Sequence, residues 1–387
     1  MLVITETAPL ADFCGRLATV PWFTIDTEFI RESTYYPRLC LIQLAGPDQG
    51  QEAIVDPLAP GLDLAPLVDL LDKPDVVKVF HAARQDLEIF YHLNGRLPAP
   101  LFDTQVAAMV CGFGDQVSYE KLAGALAGTQ IDKSARFTDW ARRPLAKRAL
   151  DYALSDVTHL RKVYRKLCEQ LVQSDRIGWL AEEMAILADP ATYRTEPEQA
   201  WKRLKPRGRS RKQFALLQAL AAWRERTAQQ KDLPRNRVIK DEQLFDLAAQ
   251  APTTAEALAA TRGLSADFSR SKMGREIVET VAGVLAQPSE SWPAPPADDN
   301  LAPVPGPLVE LLKVLLKQRC DEAQVAPKLV AGVSDLEAIL RDDEADVPAL
   351  HGWRRALFGN DALALKHGRL ALAAGGGQVR VVPVPEG

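Results

Sequence analysis

Pro21-Trp22-Phe23-Thr24-Ile25-Asp26-Thr27-Glu28-Phe29 decides how the rest of the chain is read. It is a strand pattern, apolar at Trp22, Phe23 and Ile25, that ends in two carboxylates. Asp26 and Glu28 are two apart, so on a strand they share one face, with Trp22 and Thr24 before them. Unpaired buried carboxylates are costly, and such a pair calls for cations. An isolated Asp-x-Glu is also what a solvated strand end looks like, so the choice rests with the surrounding chain.

Upstream, Leu2–Thr5 reads as a short strand and Ala8–Leu17 as a helix. Downstream, Arg38–Ala45 is a strong strand, and Glu52–Asp56 is a third after the Gly46-Pro47-Asp48 turn. Short connections between such runs predict an antiparallel meander. Leu62–Leu71 has helical spacing, Val76–Phe80 is a strand of the buried type, and Arg84–Leu93 and Asp103–Cys111 are helices. Strands first, then alternating helix and strand, predict an α/β domain with a mixed sheet. Ser118–Gln173 is mostly helical: Tyr119–Leu126 is one helix, and a longer one starts at Pro144 and runs to about Val172, either unbroken or with one break.

The chain has 387 residues, enough for two or three domains. We place the α/β domain at 1–190, a basic linker at 191–210, a helical domain at 211–287 and a proline-rich linker at 288–307. A second helical domain follows at 308–375, and 376–387 is a tail, disordered or a single strand. Hydrophobic content of 47% and charged content of 25% are those of a soluble globular protein. No apolar run reaches the length of a membrane span and no secretory signal opens the sequence, so no membrane partner is expected. The five cysteines are scattered without a Cys-x-x-Cys pair, which points to a reducing compartment, the cytoplasm, and away from a zinc or disulfide framework. Net charge is −4, yet between Trp201 and Lys240 thirteen basic residues face only Glu225 and Asp232, an excess of +11. That asymmetry suits either a polyanion partner or a solvated basic linker.

Two more acids fall in suggestive places. Asp86 lies in the first turn of the helix that follows Val76–Phe80, where a carboxylate also serves as a cap. Tyr152 and Asp156, four apart, share one face of the helix that starts at Pro144.

A strand with Asp-x-Glu, a strand–helix with Asp and a helix with Tyr-x-x-x-Asp, in that order, resemble the three motifs of the DEDD exonuclease superfamily in its tyrosine subtype. The words DTEFIRESTYYPRLCLIQLA, HAARQDLEIF, FDTQVAAMV and DWARRPLAKRALDYALSDVTHL look more narrowly like the ribonuclease D family. FALLQALAAWRERTAQQKDLPRNRVIKDEQLFDLA resembles the HRDC module that follows in that family, and LHGWRRALFG a more divergent second copy. The resemblance implies a ribonuclease-H-like exonuclease domain and two all-α HRDC-like domains.

The implied activity is metal-dependent 3′→5′ exoribonuclease hydrolysis that releases nucleoside 5′-monophosphates from structured RNA, notably tRNA precursors with 3′ extensions. No small-molecule cofactor is implied beyond two divalent ions, Mg2+ or Mn2+. By resemblance, Asp26, Glu28 and Asp156 hold one ion, Asp26 and Asp86 the other, and Tyr152 orients the attacking water. Hard cations prefer such oxygen ligands, and crowded carboxylates need the counter-charge. His81 either touches substrate phosphate or is a strand-end histidine, and Phe29 either stacks on the terminal base or packs in the core. Asp103 is expected to cap the helix at Thr104, and Trp140 and Trp353 to anchor cores. Arg207, Arg209, Arg211 and Lys212 are expected to grip the RNA body. The same acids would serve a 3′→5′ DNA exonuclease of the repair or proofreading type, and an inactive nucleic-acid-binding protein is the third reading.

Overall fold

A computed structural model describes residues 1–132, 135, 137–205, 210–295 and 303–385. Strand β1 (Leu2–Ile4) and helix α1 (Thr7–Leu17) lead into β2 (Trp22–Ile30), β3 (Arg38–Ala45) and β4 (Glu52–Val55). Helix α2 (Ala65–Leu71), β5 (Val77–Phe80), α3 (Arg84–Asn94), β6 (Leu101–Asp103) and α4 (Thr104–Val110) follow. Then come α5 (Tyr119–Ala127), α6 (Lys147–Thr158), α7 (Leu160–Gln173) and α8 (Ile177–Leu187). The six strands make one sheet in the order β1-β4-β3-β2-β5-β6. β3 and β4 are antiparallel, while β1–β4, β2–β5 and β5–β6 are parallel, the mixed sheet that the sequence predicts.

β2 is an inner strand because its neighbours bury it: Phe23 and Ile25 are fully enclosed, and Trp22, Phe23 and Thr24 pair with Val77, Lys78 and Val79. Three elements differ from expectation. β6 is a strand that the sequence pattern does not announce, and it takes in Asp103, the residue expected to open the helix that instead starts at Thr104. The long helix starts at Lys147 rather than Pro144, and the break the sequence allows falls at His159, between α6 and α7. The C-terminal segment is a hairpin: β7 (Leu370–Gly375) pairs antiparallel with β8 (Gln378–Pro383) across Gly376 and Gly377, whose φ values of 63° and 77° suit glycine.

The described chain forms two compact units. The first combines Met1–Glu28, Leu39–Asp189 and the described part of Leu301–Gly387. So the C-terminal helical block, opened by the helix Gly306–Ala323, belongs to the same compact unit as the six-stranded sheet rather than to a detached module. Trp179 of α8 stacks on Trp353 with ring centroids 4.1 Å apart and planes at 6°. Arg354 is bound between Glu182 and Glu183 and also donates to Leu329 O at 2.7 Å. Gly112, at φ 84°, lies where a Cβ would meet Gln324 O at 2.8 Å, so close approach of backbone requires glycine there.

The second unit combines Phe29–Arg38 with the described part of Pro190–Asn300. Its central helix α9 (Arg211–Lys231) buries Leu216, Leu220 and Ala221 completely against α11 (Asp241–Gln250) and α14 (Lys272–Leu285). Between α9 and α11 lies the one-turn α10 (Arg235–Val238), and α12 (Ala255–Ala259) and α13 (Ala266–Arg270) precede α14. The expected linker is partly built into this core: a 3-10 turn at Pro197–Arg203 buries Ala200, and Leu204 beside it is equally enclosed. Tyr35 belongs here too. Its hydroxyl donates to the buried Glu225, which Arg235 also grips at 2.6 and 2.5 Å.

Candidate active site

The site is assembled from three elements. On β2 the Thr24 hydroxyl lies 2.9 Å from Val157 O and 3.1 Å from Ala45 O, and donates to one of them. That seats the C-terminal turn of α6 over β2 on the face where Asp26 and Glu28 emerge two and four residues later. Asp156 precedes Val157 on that turn. Carboxylate oxygens of Asp26, Glu28 and Asp156 all lie within 4.8 Å of one another.

Asp86 arrives from the other side of the sheet connection, in the first turn of α3, and is 6% exposed. The Thr27 hydroxyl donates to Asp86 Oδ1. The entry to α3 is strained at Ala82, whose φ of 57° is left-handed. Asp103 holds it there: its carboxylate accepts from Ala82 N at 3.0 Å, Ala83 N at 2.8 Å and Gln105 N at 2.7 Å. It therefore caps α4, as the sequence predicts, and also pins the start of α3.

Crowding and burial act on the four acids in one direction. Burial, reinforced by Asp156, holds the Asp26 carboxyl well above its ordinary range. Burial and then Asp26, Asp156 and Asp86 push Glu28 up to about 9. Burial raises Asp156 to about 7, and burial with Asp26 raises Asp86 well above the usual value. Without counter-charge the cluster keeps protons that free carboxylates lose, the signature of a site built for cations. All the donors are hard oxygens, the set that suits Mg2+ or Mn2+.

Tyr152 stands one turn before Asp156, half-buried, with its ring against the enclosed Trp140 at 6.4 Å and 24°. Tyr119, which sequence reasoning passed over, donates to Ser155 O at 3.1 Å and ties α5 to α6. Thr24 and Thr27 were also missed. Their place beside the acids in the quoted stretch was the available signal.

His81 contacts Thr104 Oγ1 through Nδ1 at 3.0 Å and packs on Tyr119, and burial lowers its pKa to about 4. A ring held neutral offers a phosphate a hydrogen bond but no charge. Phe29 follows Glu28 on β2 and is half-buried. Arg211 donates to Trp292 O at 2.9 Å and 2.5 Å, Lys212 is exposed, and Arg207 and Arg209 lie outside the described residues.

Residues 1–172 match the family model described as 3′-5′ exonuclease, and residues 213–281 that of the HRDC domain. Ribonuclease D of Acidiphilium cryptum is 52% identical over 384 residues, spanning 99% of this chain and 97% of that protein. Ribonuclease D of Gluconacetobacter diazotrophicus is 52% identical over 383 residues, again 99% and 97%. The crystal structure of Escherichia coli RNase D, described as an exoribonuclease involved in structured RNA processing, superposes with a TM-score of 0.81. It is 30% identical and covers 95% of this chain and 98% of its own. With relatives that match it along almost its whole length, the chain belongs to the ribonuclease D family of 3′→5′ exoribonucleases.

Proposed function

We propose that this exoribonuclease trims 3′ extensions of structured RNA, tRNA precursors among them, in the cytoplasm. Nucleotides leave one at a time as 5′-monophosphates. The observation that carries the reading is the gathering of Asp26, Glu28 and Asp156 within 4.8 Å, with the pKa of Asp86 raised by burial and then by Asp26. We assign Asp26, Glu28 and Asp156 to one divalent ion and Asp26 and Asp86 to a second, Mg2+ or Mn2+. When bound, such ions supply Lewis acidity and neutralise charge on the phosphate under attack.

The chain's own residues do the rest. Tyr152 positions the attacking water through its hydroxyl. A phenol with a pKa of ~10 is a poor base at neutral pH, so its task is orientation. Trp140 holds the Tyr152 ring and thereby the direction of that hydroxyl. Thr27 and Asp103 fix the placement of Asp86 from its side chain and from its backbone. Phe29 offers a ring to the terminal base, which suits recognition of a single-stranded end. The relatives carry the ribonuclease D name, which favours RNA over DNA. The five cysteines are free, which fits a reducing compartment, and no described helix is long and apolar enough to cross a membrane.

The decisive assay uses end-labelled single-stranded RNA and DNA of one sequence, and a tRNA-sized RNA with a 3′ tail, with magnesium and with chelator. Metal-dependent stepwise shortening of the RNAs from the 3′ end is expected. Preference for the DNA strand, or cleavage indifferent to chelator, would remove the proposal.

A further inference from the structure

Arg143 commits every donor it has. Nε and Nη2 fork onto the two carboxylate oxygens of Asp56 at 2.6 and 2.7 Å. Nη2 also donates to Cys40 O at 2.7 Å, and Nη1 donates to Trp140 O at 2.7 Å and to Arg142 O at 2.9 Å. A guanidinium has five N–H groups, so none is left over for a phosphate. These bonds tie a loop to the sheet. Cys40 lies on β3, Asp56 follows the last residue of β4, and the antiparallel pairing of Ile42 with Val55 brings those two ends together. Trp140 and Arg142 lie in the stretch 137–146, which contains no helix or strand and leads into α6.

That stretch closes a turn on Asp139, whose carbonyl accepts from Arg142 N at 3.1 Å and whose carboxylate accepts from Ala141 N at 3.1 Å. Both bonds are internal to the turn, so they shape it without placing it. The Arg143 fork places it, against the end of the β3–β4 ladder. The side chains of Arg143 and Asp56 are 27% and 13% exposed, so the pair is shielded from most of the solvent that weakens surface ion pairs. What the turn carries is Trp140, a buried ring that lies against Tyr152 at 6.4 Å and 24°. A group that aims a reacting water must be held within about 0.5 Å and 10–20° by neighbours that are themselves locked.

We propose that Arg143, with Asp56, is a positioning residue for the hydrolytic step. It locks the Trp140 turn to the sheet and, through the Trp140 ring, fixes the direction of the Tyr152 hydroxyl. The proposal rests on the assignment of Tyr152 to the attacking water and carries that assignment out to the end of the β3–β4 ladder. Charge alone does not serve here. A lysine at 143 pairs with Asp56 but cannot span Asp56, Cys40 O and Trp140 O with one planar group.

The test compares the full chain with Arg143→Lys, Asp56→Asn, Tyr152→Phe and the double variant Arg143→Lys, Tyr152→Phe. Single-turnover hydrolysis of a single-stranded RNA at saturating magnesium reads the rate, binding in chelator reads affinity, and a melting curve checks the fold. Arg143→Lys and Asp56→Asn should each slow hydrolysis by roughly tenfold, inside the ~100-fold that a misplacement of about 1 Å can cost, and leave RNA affinity unchanged. In the Tyr152→Phe chain no hydroxyl is left to aim, so adding Arg143→Lys should change the rate by less than about twofold. A merely structural role would slow both chains alike, and that result overturns the proposal. So does a fall in RNA affinity, which would make Arg143 a substrate contact. Where one of the two variants loses its fold the other is read; loss of the fold in both would mark a structural pair and overturn the proposal. A Tyr152→Phe chain as fast as the native one removes the reading of Tyr152, and the proposal with it. A slow Tyr152→Phe chain beside fast Arg143→Lys and Asp56→Asn chains removes the proposal alone.

Discussion

Divalent metal should enter the carboxylate site by displacing protons, and the number released can be worked out. A ligating carboxylate must be ionised. Glu28 is pushed up to about 9, so at pH 7 without metal only ~1% of it is ionised. Asp156, raised to about 7, is then about half protonated. Asp26 and Asp86 are both held well above their ordinary range and add to the count. Magnesium binding at pH 7 should therefore release at least one proton, and log K should rise by about 1–2 per pH unit. Each proton is worth about 1.4 kcal/mol per unit.

The direction follows from the raised values. The metal-free fold gains from a protonated Glu28 below that group's ordinary 4.5, and loses the gain progressively as pH rises toward about 9. Affinity for metal rises over the same window and levels off above it. Calorimetry at several pH values, each in two buffers of different ionisation enthalpy, reads both the affinity and the proton count. Glu28→Gln should lower the count by about one and weaken binding. Affinity that is flat from pH 6 to 8 with no proton released would mean that the empty cluster is already ionised, and the argument from crowding would fail.

Asp26→Asn, Asp86→Asn and Asp156→Asn should each nearly abolish turnover at saturating magnesium, while the metal-free protein melts at the same temperature or higher, because repulsion is relieved. Tyr152→Phe should lower kcat and leave RNA affinity unchanged; a fall in binding alone would make it a substrate contact. Asp103→Ala should leave the Ala82, Ala83 and Gln105 N–H groups without their acceptor; the buried Ala83 N–H alone costs about 1–3 kcal/mol, so denaturant titration should show a loss of at least about 1 kcal/mol, and turnover should fall through the displaced Asp86. Replacing Arg207, Arg209, Arg211 and Lys212 by Ala should raise KM for a tRNA-sized RNA and spare a short oligomer; equal loss on both would assign the segment to the fold.

What could be read in the sequence was local. The strand that brings Asp26 and Glu28, the helix turn at Asp86 and the shared face of Tyr152 and Asp156 each follow from spacing within a single element. β6 escaped notice because three residues at Leu101–Asp103 carry no periodicity, and it becomes a strand by pairing with Lys78, Val79 and Phe80. The C-terminal hairpin escaped for a related reason: neither strand is a strong apolar run, and they stabilise each other. Asp103 was readable as a cap of α4, but its hold on Ala82 and Ala83 joins residues about twenty positions apart and leaves no mark on either segment alone. The union of the C-terminal block with the exonuclease sheet is longer-range still, resting on pairs such as Trp179 with Trp353.

The basic segment shows how a local count of charge misleads. Within Trp201–Lys240 only Glu225 and Asp232 oppose thirteen basic residues. The fold imports further acids from outside that window: Asp241 pairs with Arg224, and Glu198 pairs with Arg226 at 2.8 Å. Glu225, inside the window, is consumed by Arg235, and Arg211 spends its donors on the carbonyls of Glu290 and Trp292. The charge left for a polyanion is therefore smaller than +11, and part of it is held in place by these same pairs. A free peptide of this segment has more uncommitted charge than the folded unit. It should therefore bind RNA with a steeper slope of log K against log salt than the folded chain does, and equal slopes would mean that these ion pairs leave the segment's charge fully available.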